Sequence, residues 1–200
     1  MAGEPPWRCY VAVVPSPDAL ARIEAGLAPL QAAFPQAHWT ALDDIHLTLI
    51  FMATVPAEGV PAVVAAVAAV AADMGSFGIT VQGAGEFGGR GRPSVSWLGI
   101  GDGRGPVLAL ESALRGRLAA IPGLEGLADD ALSMPHLTVA RRAPAGVAQG
   151  LAKAFDGAGP AWSVDRVVLY RSELGRRGAR HTPILSAPLS PGLRAAAGGG

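Results

Sequence analysis

Two of the four histidines in this 200-residue chain share one setting, HLTL at 46–49 and HLTV at 136–139. Random placement of four histidines and six threonines gives roughly 0.1 His-x-Thr pairs, so two such pairs are not background. An imidazole titrates near neutrality and can either give or take a proton. Two imidazoles opposed across a cleft suit in-line displacement at phosphorus: one takes a proton from the attacking water while the other gives one to the departing oxygen. The threonine hydroxyls, Thr48 and Thr138, could bond the non-bridging oxygens, where charge concentrates. A zinc site built from His38, His46, His136 and His181 is the competing chemistry. Asp43 and Asp44 precede His46, but no carboxylate–histidine cluster has metal spacing, so neither metal nor cofactor is expected.

The spacing makes sense on a strand. Successive strand side chains point to opposite faces, so His46 and Thr48 share one face while Leu47 and Leu49 share the other. His136 and Thr138 stand in the same relation to Leu137 and Val139. Each strand can bury its apolar face under helices and turn its His/Thr face towards the other. For a single histidine, a partly buried strand residue bonded to its neighbours would be the simpler reading. The repetition argues against it.

The rest of the chain supplies elements to position these strands. Apolar alternation predicts six strands, at 8–14, 45–52, 78–84, 94–100, 135–141 and 163–170. Four helices are predicted between them. The first has Ser16 as cap and Pro17 in its first turn, with Leu20, Ile23, Leu27, Leu30 and Phe34 along one side. The others cover 57–73, 106–120 and 146–155. The order is βαβαβ over 8–84 and again over 94–170, with HLT on the middle strand of each half. This is read as an internal duplication: an α+β fold of two pseudo-symmetric lobes, antiparallel sheets facing across a central cleft, helices outside. One domain is expected over 1–190, its lobes joined through the Gly-rich segment 85–93 and its C-terminal segment returning to the body. The tail, 191–200, is expected to be disordered.

Composition narrows the function classes. Half the residues are hydrophobic and 16% charged, which excludes a disordered chain. The longest charge-free apolar run, 60–72, is too short for a bilayer span of about 20 residues. No signal-peptide pattern opens the chain, and Cys9 is the single cysteine, so a monomer in a reduced, cytoplasmic setting without a membrane partner is expected. Net charge is zero, which disfavours non-specific binding to long duplexes. The charge is uneven: residues 1–88 carry two basic and eight acidic side chains, the remainder 14 basic and eight acidic. All basic residues but Lys153 are arginine, whose planar fork suits phosphate. The cluster at 171–181, with Arg171, Arg176, Arg177 and Arg180, is expected to border the cleft and hold phosphates upstream of a reacting end.

The motifs together resemble those of the 2H phosphoesterases, in particular the LigT-like RNA 2′,3′-cyclic phosphodiesterases. The likeness covers residues 7–189. It takes in the opening strand WRCYVAVVP, the run from Trp39 to Phe51, the pattern of Phe87, Pro93, Trp97 and Leu98, PHLTVAR at 135–141 and LYRSELGRRG at 169–178. The resemblance implies that His46 donates a proton to the leaving 3′ oxygen. His136 then activates water, and a 2′-phosphate remains. It also implies substrate contacts at Thr48, Thr138 and Arg141; Phe51 is expected either to stack on a base or, as alternation alone equally allows, to lie in the core. The expected partner is RNA with a 2′,3′-cyclic phosphate end, or a small cyclic phosphate. Strict alternation from His136 puts Arg141 on the wrong face unless the strand bulges or ends before it. The sequence departs from the family where Phe51-Met52-Ala53 replaces Phe-Leu-Gly and where His181 stands in place of a late tyrosine. Three alternatives stay open: RNA 2′-5′ ligation, hydrolysis of another cyclic phosphate such as a cyclic nucleotide or ADP-ribose cyclic phosphate, and non-catalytic RNA-end binding.

Overall fold

The structure, a computed structural model, describes residues 4–89, 92–129, 132, 134–157, 159–175 and 178–192. Its elements are β1 (Trp7–Val13), α1 (Pro17–Ala33), β2 (His38–Trp39), β3 (Leu47–Val55), α2 (Val60–Asp73), β4 (Phe77–Gly89), β5 (Arg92–Ile100), α3 (Arg104–Ala119), β6 (His136–Arg141), α4 (Val147–Ala154), β7 (Ala161–Val164), β8 (Arg166–Gly175) and β9 (Gly178–Pro188). The fold is α+β: four helices on a curled antiparallel sheet whose two halves are pseudo-symmetric.

The strand order is β7-β4-β5-β6-β3-β1-β8-β9. The duplication is visible in it: exchanging β1 with β5, β3 with β6 and β8 with β4 reverses the order of the inner six strands onto itself. The symmetry point is the β3–β6 seam, where Leu47 pairs with Leu137. The lobes are not, however, the contiguous stretches 8–84 and 94–170. The last strand of each half crosses over: β4 pairs with β5 and β7, while β8 pairs with β1 and β9. Hydrophobic periodicity reports that a strand is half-buried, not which neighbour it pairs with. Of the Gly-rich segment expected to be a joint, residues 85–89 lie in β4 and 92–93 in β5, two strands that pair with each other. Gly85 pairs with Trp97 there, and a Cβ on Gly85 would collide with the indole ring.

Local chemistry accounts for the helices. Ser16 caps α1, its Oγ accepting from the Ala19 N–H at 3.2 Å, and Pro17 lies in the first turn where no N–H is needed. Ile23 and Leu27 on its inner face are fully buried. Helix α2 covers β8 and β9, and α4 covers β4 and β5. The predicted strand at 163–170 breaks at Asp165 into β7 and β8. Strand β9 carries two prolines and is mostly exposed at the sheet edge, so it has no apolar alternation to betray it. After β9, Leu189 N–H bonds Asp165 O and Ser190 N–H bonds Met74 O, which ties the chain end to the body. Of the tail expected at 191–200, residues 193–200 lie outside the described residues.

Candidate active site

The seam sets the site. Leu47 and Leu137 are fully buried on the helix side, each worth on the order of 1.5–3 kcal/mol of apolar burial. Their flanking residues therefore point the other way. Carrying the antiparallel register one residue each way from this pair puts His46 across from Thr138 and Thr48 across from His136. All four are half-buried. The two histidines are thus diagonal neighbours on one face, related by the two-fold of the duplication.

Both rings are held in the same way. His46 Nδ1 lies 2.8 Å from the carbonyl of Asp44, and His136 Nδ1 lies 2.9 Å from the carbonyl of Met134. A carbonyl only accepts, so each Nδ1 carries the proton and donates it. In the neutral ring each Nε2 is then an unprotonated acceptor, free to take a proton or, once charged, to give one. The Asp44 carbonyl is presented by a 3-10 turn over Leu42–Asp44, closed by Asp44 N–H to Ala41 O and Ile45 N–H to Leu42 O. On the other side Glu111, only 2% exposed on α3, accepts from the Leu132 N–H at 3.2 Å and pairs with Arg115 at 2.7 Å. That anchors the loop leading into Met134.

The question of Arg141 is settled by two matching bulges. In the β1–β3 ladder Val11 pairs with Ile50 and Ala12 with Thr48, leaving Leu49 as an extra residue. In the β5–β6 ladder Ser96 pairs with Ala140 and Trp97 with Thr138, leaving Val139 extra. A bulge shifts the alternation by one residue. Leu49 and Ile50 are both buried and Phe51 is exposed; Val139 and Ala140 are both buried and Arg141 is exposed. Phe51 and Arg141 thereby return to the His/Thr face at corresponding places on the two strands. The charge of Arg141 reaches His46 and opposes its protonation. Phe51 has the Arg8 guanidinium 4.4 Å over its ring.

The walls beside the histidines differ. Tyr10, 4% exposed, stacks on His46 at 4.8 Å between ring centroids and on Tyr170 at 5.0 Å. His181 meets Tyr10 edge-on at 5.2 Å. His136 instead lies edge-on to Phe87 at 4.9 Å and 6.1 Å from Trp97. Burial lowers the pKa of His46 from its usual value. The bond to the Asp44 carbonyl and the Asp44 charge work the other way, and His181 and Arg141 add to the lowering. Burial likewise pushes both tyrosine phenols up, so they stay neutral. The Cys9 thiol is raised to about 11 by burial, partly offset by the Arg171 charge, which removes it as a nucleophile near neutrality.

Tyr10, Tyr170, Phe87, Trp97 and Glu111 had no assigned role in the sequence reading. The two tyrosines did leave a signal: they are the only tyrosines, and each adjoins an apolar run, VAVV after Tyr10 and VVL before Tyr170. Two arginines of the cluster, Arg171 and Arg180, are placed otherwise than expected. Arg171 alternates with Tyr170 and packs over Trp7 at 4.0 Å, 3.4 Å from Glu173. Arg180 is exposed and alternates with His181. Both fall on the face away from the histidines, because β8 and β9 turn Tyr170 and His181 inward. Arg176 and Arg177 lie outside the described residues. His38 is exposed on β2 and does not join the ring cluster; among the described residues no three His, Cys, Asp or Glu side chains gather as a metal-binding group.

Comparison with known proteins identifies the family. The family model described as the 2′-5′ RNA ligase superfamily matches residues 15–176. The chain belongs to that superfamily. It is 28% identical over 185 residues to the RNA 2′,3′-cyclic phosphodiesterase of Geobacillus stearothermophilus. That match takes in 90% of this chain and 58% of the relative's length, so the chain spans little more than half of it. Among solved structures, apo Escherichia coli LigT superposes with a TM-score of 0.70 at 23% identity, covering 94% of this chain and 99% of LigT. TT0787 of Thermus thermophilus gives a TM-score of 0.69 at 26% identity, covering 92% and 98%. The Escherichia coli LigT complex with phosphate gives 0.66 at 25% identity, covering 94% and 99%. The superfamily is that of the 2H phosphoesterases, which bears out the resemblance carried by the two HLT motifs. No helix among the described residues is long and apolar enough to cross a membrane.

Proposed function

We propose that this protein hydrolyses 2′,3′-cyclic phosphates at RNA ends to 2′-phosphates by metal-independent acid/base catalysis. The observation that carries the reading is the matched pair of Nδ1–carbonyl bonds, which leaves two Nε2 atoms on one face. In the proposed step His136 Nε2 takes a proton from water as its oxygen attacks phosphorus. The bond from phosphorus to the 3′ oxygen breaks, and His46 Nε2 gives that oxygen a proton. The 2′ ester bond stays intact, and proton exchange with solvent returns each ring to its starting state. Thr48 and Thr138, each across from a histidine, suit the two non-bridging oxygens. Arg141 adds a permanent positive charge there, and Phe51 offers a ring to the base. The Geobacillus relative's name supports this choice of substrate.

The test is incubation with an oligonucleotide ending in a 2′,3′-cyclic phosphate, in excess EDTA, followed by phosphorus NMR of the product. A 2′-phosphomonoester is expected. A 3′-phosphomonoester, or turnover that needs added metal, would overturn the reading. The superfamily's description favours a second reading, 2′-5′ ligation, in which a 5′ hydroxyl replaces water at the same phosphorus. A joined product in the same tubes would favour it.

A further inference from the structure

The first-motif wall contains a histidine that the two-histidine mechanism leaves unused. Strand β9 pairs with β8 so that His181 stands opposite Ser172, on the face that also carries Tyr170. Its ring lies 6.2 Å from that of His46, inclined at 75°, with the Tyr10 ring touching both. His181 Nδ1 is buried and bonds no protein group among the described residues. It therefore lacks the carbonyl that pins the tautomer of each of the other two rings.

We propose that His181 is a positioning residue for His46, a third imidazole whose charge governs the proton on the first-motif histidine. The groups that face His46 can be taken element by element. Its own turn supplies Asp44, β1 supplies Tyr10, β8 supplies Tyr170, β6 supplies Arg141 and β9 supplies His181. Asp44 brings a carboxylate and Arg141 a guanidinium, side-chain types that do not change charge near neutrality. Tyr10 and Tyr170 stay neutral there because burial holds their phenols protonated. Of these five, His181 alone is of a type that changes charge near neutrality. Two positive rings at this separation repel, by an amount on the order of one pH unit of displaced titration in a partly solvated site. The protons on His46 and His181 thus belong to a coupled pair. His181 would thereby give this chain an acid whose strength depends on pH twice over.

The effect on turnover rests on the proposed role of His46 as acid, but the coupling can be read without turnover. The ring nitrogens of His46 and His136 are titrated by NMR in the intact protein and in His181→Phe and His181→Asn. Phe keeps a ring against Tyr10; Asn keeps a polar group and covers the case in which Phe fails to pack. In the wild-type protein the His46 curve is expected to be broadened. In both variants it should sharpen and its midpoint rise by on the order of half to one pH unit, with His136 unmoved. The alkaline limb of the cyclic-phosphate rate profile should rise with it. An unmoved His46 midpoint in a folded variant would overturn the proposal, as would equal shifts at His46 and His136. If the midpoint rises while the rate profile stays, the coupling stands and the acid assignment of His46 falls.

Discussion

Strands β3 and β6 share a motif, a burial sequence, a bulge and a histidine anchor, yet the cleft they line is not symmetric. His46 lies against two tyrosines and a third imidazole, whereas His136 lies against Phe87 and Trp97, which cannot titrate. The bulges bring an exposed phenylalanine to one strand and an arginine to the other at corresponding places. The backbone duplicates a way of presenting an imidazole, and the side chains around it decide what that imidazole does. In the proposed reaction, a wall of polar rings tunes one proton and an apolar wall leaves the other to solvent and substrate.

The largest effect that probes this comparison is loss of either imidazole. His46→Ala and His136→Ala should each lower turnover of a 2′,3′-cyclic phosphate by about 10²–10⁴-fold, the usual range for a positioned acid or base. Steady-state rates on folded variants measure it; near-wild-type turnover in either would end the pairing.

The seam itself should behave symmetrically. Leu47→Ala and Leu137→Ala, both fully buried and directly paired, should each cost about 2–5 kcal/mol of stability in chemical denaturation. Costs that differ by the full width of that range would show that the two halves do not share one core at the two-fold.

Phe51 and Arg141 sharpen the contrast further. Arg141→Met removes the charge proposed to meet the phosphate and should lower kcat/KM about 10-fold or more for every cyclic phosphate, mononucleotides included. Phe51→Ala should mainly raise KM for base-bearing substrates, since stacking on a ring does not touch phosphorus. Equal losses on all substrates for both variants would put the two residues in one role.

The smallest effect is in stability against pH. Burial lowers the His46 pKa in the folded protein, so the unfolded chain binds more protons between that lowered value and the ordinary one near 6.5. His46 therefore contributes stability that is present above about pH 6.5 and lost as pH falls towards its folded value. His46→Ala should flatten that part of the stability curve in pH-dependent thermal melts. A curve of unchanged slope would mean that His46 is not desolvated in solution.

Much of this was readable from the chain because it depends on near neighbours. The HLT spacing fixes which residues share a face, and the Ser16–Pro17 start and the Leu/Ile periodicity locate α1. The bulges at Leu49 and Val139 were not readable: neither is a glycine, and both are ordinary core residues that happen to lack a partner across the ladder. The crossing of β4 and β8 into opposite halves was hidden for a related reason, since pairing partners are chosen by long-range packing. The same holds for the turn of β8 and β9 that brings Tyr170 and His181 in and leaves Arg171 and Arg180 out. Charge clustering along the sequence says nothing about which face of a strand receives the charge.

The central claim is that the two-fold-related histidines act as one acid/base unit on one phosphorus. It is tested most directly by the double variant, His46→Ala with His136→Ala, compared with each single variant in kcat on a 2′,3′-cyclic phosphate. The account predicts that the double variant is little slower than the slower single one, because each ring is useless without its partner. A double loss equal to the product of the two single losses would contradict it, and would mean that the histidines contribute separately.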